Sequence, residues 1–163
     1  MKKNLKNKKI LLIISGGIAA YKCLDLIRLL KKEDVKIKTV LTSSAKNFVT
    51  PLSIAALSKG KVYQDFFDSQ RESEFDHISL SRWADVILVA PATANIIAKF
   101  ANGISDDLAS TLVLASNKDI ILAPAMNVRM WINSITKKNL KKILYNGYLS
   151  IGPEIGEMAC GEY

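Results

Sequence analysis

Side chains that ligate metals or titrate near neutrality are scarce in this chain: 163 residues include one histidine, His77, and two cysteines, Cys23 and Cys160. The cysteines lie far apart and form no CxxC pair, so neither a zinc site nor a disulfide framework is indicated, and no metal is expected. Free thiols fit a reducing, cytoplasmic compartment. No apolar run reaches the roughly 18 to 20 residues of a membrane span, and the stretch 10–14 is too short for a signal-peptide core. Internal repeats, low-complexity segments and linkers are absent too, which leaves one globular domain large enough to bury a core.

The chain does have positive charge: a net +8, with lysines at five of the first nine positions. Lys2, Lys3, Lys6, Lys8 and Lys9 read as a solvated terminus, and Lys137, Lys138, Lys141 and Lys142 as the outer face of a helix. Neither group calls for nucleic acid or a membrane as partner. Anionic small molecules remain compatible with both.

Strand and helix signals alternate along the sequence. Residues 9–15 and 35–41 predict buried strands, the first followed by Gly16, Gly17 and a helix over 18–32, the second by a helical stretch to 48. Thr50 before Pro51 predicts a capped helix to 58. Residues 64–76 read as a loop, 86–90 as a strand closed by Pro91, and 93–100 as a helix before an Asn102-Gly103 turn. Ser105 is the expected cap of a helix over 106–115, with Asp106 and Asp107 in its first turn. Residues 120–123 predict a strand broken by Pro124, 134–146 a helix stopped by Gly147, and 148–151 a final strand. This alternation implies an α/β fold: a doubly wound parallel sheet covered on both faces.

Ligands of such sheets sit beyond the carboxyl ends of the strands. Four segments follow strand ends here: Ser15-Gly16-Gly17, Thr42-Ser43-Ser44, Pro91-Ala92-Thr93-Ala94-Asn95 and Pro124-Ala125-Met126-Asn127. They should line one crevice. A glycine pair opening a helix lets backbone amides approach a phosphate, although it also serves any tight turn. The pattern is neither GxGxxG nor a P-loop, so dinucleotides and nucleoside triphosphates rank low. Hydroxyls of Thr42, Ser43, Ser44 and Thr93 supplement those amides, while Ser44 and Thr93 equally suit helix caps. His77 is open between a structural role and an acid, base or carboxylate anchor. Asn127 is open between a helix cap and an amide facing the crevice. Cys160, among Gly152, Gly156 and Gly161, lies on a segment that reads as a flap, whereas Cys23, among Leu24, Ile27 and Leu30, reads as a small core residue.

In their order, several motifs resemble the homo-oligomeric FMN-containing cysteine decarboxylases over nearly the whole chain. The carriers are Ser15-Gly16-Gly17-Ile18-Ala19-Ala20-Tyr21-Lys22, His77-Ile78-Ser79-Leu80 with Trp83-Ala84-Asp85, Ala90-Pro91-Ala92-Thr93-Ala94-Asn95, Pro124-Ala125-Met126-Asn127 with Met130-Trp131, and Ala159-Cys160-Gly161. The resemblance implies a flavodoxin-like, Rossmann-like domain over 1–163, with 152–163 beginning a substrate-recognition flap. It implies FMN held by Gly16, Gly17, Ile18, Thr42, Ser43, Ser44, Thr93, Ala94, Asn95 and Ile96, with Ala125 near the ring. By the same resemblance His77 is the active-site base, Asn127 and Met126 contact substrate, and Ala159 and Cys160 belong to the flap, Cys160 supplying a late proton.

The implied reaction converts 4′-phosphopantothenoylcysteine, a phosphorylated cysteine conjugate, to 4′-phosphopantetheine in coenzyme A biosynthesis, in a homotrimer or dodecamer. Flavin oxidises the carbon beside sulfur so that CO2 can leave, and later reduces the ene-thiol product. A peptidyl-cysteine decarboxylase of lantibiotic maturation shares the first half of this chemistry, but releases the ene-thiol and needs no reducing flap, so Ala159-Cys160-Gly161 argues against it. A flavin-binding regulatory subunit is a rival from another class, and a prenyl-transferring flavin enzyme fits Pro124-Ala125-Met126-Asn127 poorly.

Overall fold

The computed structural model describes residues 5–64 and 76–153. Six strands form one parallel sheet: β1 (Lys9–Ile14), β2 (Lys36–Leu41), β3 (Val62–Tyr63), β4 (Val86–Ala92), β5 (Asp119–Pro124) and β6 (Leu149–Ser150). Their spatial order is β3-β2-β1-β4-β5-β6. Without the two-residue edge strand β3, that is the flavodoxin-like order, and the direction of winding reverses between β1 and β4. Ile10 of β1 pairs with Ile37 of β2 on one side and Val86 of β4 on the other, so β1 is fully interior.

Each face of β1 feeds a different core, as its alternating side chains require. Ile10, Leu12 and Ile14 meet Ala20, Cys23 and Ile27, whose helical spacing gives α1 (Lys22–Lys32) its buried stripe, and Ile54 of α2 (Pro51–Ser58). Leu11 and Ile13 belong to the opposite core with Leu80 of α3 (Asp76–Trp83), Ile97 and Phe100 of α4 (Ala94–Asn102), Leu112 of α5 (Leu108–Leu114) and Ile143 of α7 (Ser134–Tyr145). The short α6 (Val128–Ile132) precedes α7. A fully buried side chain of this size contributes about 1.5–3 kcal/mol. The expected doubly wound architecture is therefore observed, with helices on both faces.

Local departures from the sequence expectations have identifiable causes. Residues Ile18–Tyr21 and Ser43–Asn47 are single 3-10 turns rather than α-helix. Strand β4 runs through Pro91, where a stop was expected, because the register shifts between Val89 and Ala92 and the proline needs no ladder donor there. Strand β5 likewise runs through Pro124. Helix α5 starts later than expected: its cap is Asp107, not Ser105, through a reciprocal capping box with Ser110. Gly103 closes α4 at φ 65°, a left-handed conformation that glycine adopts without steric cost.

Cys23 is a core residue, as the sequence suggested. Its Sγ donates to the Ala90 carbonyl at 3.0 Å, and burial pushes the thiol up to about 12. In a Cys160→Ser background, native protein at about pH 8 should resist thiol alkylation and take up one label after denaturation. Rapid labelling of the native form would show that Cys23 is accessible.

Candidate functional site

Three strand ends meet at the β1/β4 switch point. Ser15, directly after β1, is 3% exposed. Its hydroxyl donates to the Pro91 carbonyl at 2.5 Å and accepts from the Thr93 backbone N–H at 3.3 Å, with Thr93 Oγ1 at 3.2 Å. One hydroxyl thus fixes the end of β4 against the end of β1. The Thr42 N–H donates to the Ile14 carbonyl at 3.1 Å and joins the end of β2 to the same point.

Close approach explains the glycines. A Cβ on Gly16 would stand 2.6 Å from Ser44 Cβ and 2.8 Å from the Ser44 carbonyl carbon, while one on Gly17 would stand 3.2 Å from Thr93 Cγ2. The strand ends are close enough to exclude a side chain at the first position and to crowd one at the second. Gly17 itself has an extended backbone, with φ −159° and ψ 159°, so proximity rather than conformation selects glycine there.

The convergence leaves a cleft of about 200 Å³ lined by Ser15, Thr42, Ser43, Ser44, Thr93, Asn95, Ile96, Lys99 and Asp107. Five of these lining residues carry hydroxyls, and Thr42 Oγ1 and Ser44 Oγ lie 3.3 Å apart. Thr93 caps α4 by accepting from the Ile96 N–H at 3.4 Å. The N–H groups of Ala94 and Asn95, first in that helix, have no acceptor within it. Hydroxyls, helix-start amides and backbone exposed by glycine form a donor set suited to a phosphate monoester. The residues present therefore fit the phosphate end of FMN.

Lys99 and Asp107 were not anticipated. Lys99 Nζ lies 2.6 Å from Asp106 and 2.7 Å from Asp107. Burial by itself disfavours the Lys99 ammonium, but the hydrogen bonds and charges of Asp106 and Asp107 outweigh it and hold its pKa above the usual value. For Asp107, burial disfavours the carboxylate, yet Lys99 and the Ser110 N–H and hydroxyl together hold its pKa below the usual value. The signals were present in the sequence, since Lys99 follows Ile96 by three residues on α4 and two acids follow the Gly103 turn, but their meeting depends on how that turn folds back.

The remaining candidates are placed separately. Ala125 adjoins the neighbouring strand end, where its N–H donates to the Ala92 carbonyl at 3.1 Å. Met126 packs on the core, and Asn127 is exposed and caps α6, its Oδ1 accepting from the Met130 N–H at 2.8 Å. Because a backbone N–H requires an acceptor, the cap uses the oxygen of Asn127 and leaves its NH2 out of that bond. His77 lies in the first turn of α3, at the opposite end of that helix from Trp83, which leads into β4. It does not line the cleft, and neither do Ala125, Met126 and Asn127. Ile18 is beside the glycine pair and exposed. Ala159 and Cys160 lie outside the described residues.

The geometry defines an α/β protein with a phosphate-type cradle at its topological switch point. The Flavoprotein family model matches residues 1–163, and the chain belongs to that family. It is 46% identical over 159 residues to the coenzyme A biosynthesis bifunctional protein CoaBC of Vibrio cholerae, covering 98% of this chain and 40% of that relative. The chain thus spans less than half the length of this curated relative. Among solved structures, the FMN-dependent cysteine decarboxylase SpaF is similar with a TM-score of 0.87 and 31% identity, covering 93% of this chain and 87% of SpaF. A PPC decarboxylase mutant complexed with pantothenoylaminoethenethiol is similar with a TM-score of 0.83 and 30% identity, covering 97% of this chain and 88% of that one.

Two outcomes follow from the site geometry. Gly16→Ala should lower stability in denaturant melts by about 1–3 kcal/mol, and Gly17→Ala by less, since backbone must move at the first and a methyl at the second. Equal losses would contradict the close approach of Gly16 to Ser44. Asp107→Asn should weaken the acid limb of the stability profile. A depressed carboxylate pKa contributes stability above its unfolded value, and that contribution is lost as pH falls through the folded value. An acid limb identical to the parent protein's would contradict it.

Proposed function

We propose that this chain is an FMN-dependent decarboxylase of 4′-phosphopantothenoylcysteine, acting in the cytoplasm to form 4′-phosphopantetheine for coenzyme A biosynthesis. The observation that carries this reading is the phosphate-type cleft at the β1/β4 switch point, with Asn127 just after the next strand end and its NH2 not used by the capping bond. The greater sequence likeness to CoaBC than to SpaF favours the coenzyme A substrate over a peptide.

In this reading, Gly16, Gly17 and Ile18 approach the FMN phosphate through backbone, Thr42, Ser43, Ser44 and Thr93 through hydroxyls, and the 94–96 segment through the start of α4. Ala125 lies near the ring. When bound, the flavin supplies the electron sink that a cysteine carboxylate lacks. His77 takes the substrate thiol proton as general base. The Asn127 NH2 donates to the substrate carboxylate, with Met126 beside it. Ala159 and Cys160 cover the substrate from the flap, and the Cys160 thiol delivers the late proton. The domain reading, 1–163 with a flap from 152, and assembly as a homotrimer or dodecamer belong to the same proposal.

The capping geometry separates two functions of Asn127. Asn127→Asp keeps an acceptor for the Met130 N–H but replaces the NH2 with a carboxylate, which repels the substrate carboxylate. It should retain the parent melting temperature and lose CO2 release by about 100-fold or more, measured with 4′-phosphopantothenoylcysteine and mass analysis. Cys160→Ser should still release CO2 but accumulate the oxidised ene-thiol. A cysteine-ending peptide should be inert. Turnover of the peptide alone would reverse the substrate assignment, and an unchanged saturated product from Cys160→Ser would remove that thiol from the reaction.

A further inference from the structure

Lys99 is a charged side chain of the cleft whose chemistry the family-level assignment does not use. Among the cleft's described lining residues it is the one cation. Its side chain is 18% exposed and pairs with two carboxylates, Asp106 at 2.6 Å and Asp107 at 2.7 Å. An ammonium has three N–H donors. Two directions are set by these acids, which leaves one donor for an acceptor arriving in the cleft.

The two acids differ in character. Asp107 is held in place by the backbone: its Oδ1 accepts from the Ser110 N–H at 2.7 Å and from the Ser110 hydroxyl at 2.8 Å, while Oδ2 faces Lys99. Asp106 has a side chain 59% exposed and pairs with Lys99 from the solvent side. Asp107 therefore works as a fixed strut that orients the ammonium, and Asp106 as a solvent-screened competitor for it. Lys99 also stands on α4, three residues after Ile96 and six after Thr93, so the same helix presents both its amide-rich start and this charge to the cleft.

We propose that Lys99 is a specificity residue that recognises the phosphate of the bound flavin, held by Asp107 with its third N–H directed at the cleft. This rests on the flavin reading above and makes FMN, rather than riboflavin, the preferred ligand. Lysine suits the task as a compact charge with rotatable donors, and a charge-assisted hydrogen bond to phosphate is about twice as strong as a neutral one.

Comparing FMN with riboflavin tests this directly, because the two share a ring system and differ by the phosphate. Dissociation constants are measured by flavin fluorescence on the full chain freed of flavin, alongside melting curves. Lys99→Met keeps the aliphatic stem and should weaken FMN by about 10-fold or more while moving riboflavin by less than about twofold. Equal weakening of both flavins would make Lys99 a structural strut and overturn the proposal, as would unchanged FMN binding. Asp106→Asn removes the competing carboxylate and should tighten FMN severalfold, leaving riboflavin unchanged. FMN binding that fails to tighten contradicts the proposal even where Lys99→Met does not fold. Parent protein that binds neither flavin would instead refute the flavin reading itself.

Discussion

The hydroxyl of Ser15 is the constraint on which the site depends. It is buried where the winding of the sheet reverses, and it holds the Pro91 carbonyl and the Thr93 N–H to the end of β1. Because β1 and β4 are neighbours, the two segments after them would separate toward opposite faces without such a link. With it, the start of α4 stays over the glycine pair, and Gly16 in turn admits Ser44 from the third segment. The cleft is therefore the consequence of strand order plus one satisfied buried hydroxyl, rather than of a long binding loop.

Electrostatics is arranged around that geometry with little formal charge. Amides and hydroxyls supply most of the donors, and the cleft's cation is held between two acids. Neutral donors discriminate by direction, whereas a field of lysines would attract any anion. The lysine-rich outer face of α7 lies elsewhere, and Lys137 sits 3.6 Å above the ring of Trp131, a surface contact unrelated to the cleft.

Much of this was legible in the sequence. Alternating apolar strands and helices gave the doubly wound sheet, and four polar segments after strand ends marked the crevice, three of which line it or pack against its lining. The helix carrying His77 was missed because its polar start follows a long aperiodic stretch, although Leu80 and Ala84 share one buried face. The prolines of β4 and β5 misled for a different reason: Pro91 lies where a register shift removes the need for its donor, and Pro124 is itself the last residue of β5. Lys99 and Asp107 were passed over because each looked like an ordinary helical charge, and the pair exists through tertiary folding of the turn at Gly103. Asn127 was left between two roles: its oxygen caps α6, and that bond does not use its NH2.

The most direct test of the central claim is a crystal structure of this chain with FMN bound. The account predicts the phosphate within hydrogen-bonding distance of the Thr42, Ser44 and Thr93 hydroxyls and the amides at Gly16 and Gly17. A phosphate bound away from the β1/β4 switch point, with this cleft filled by water, would contradict it.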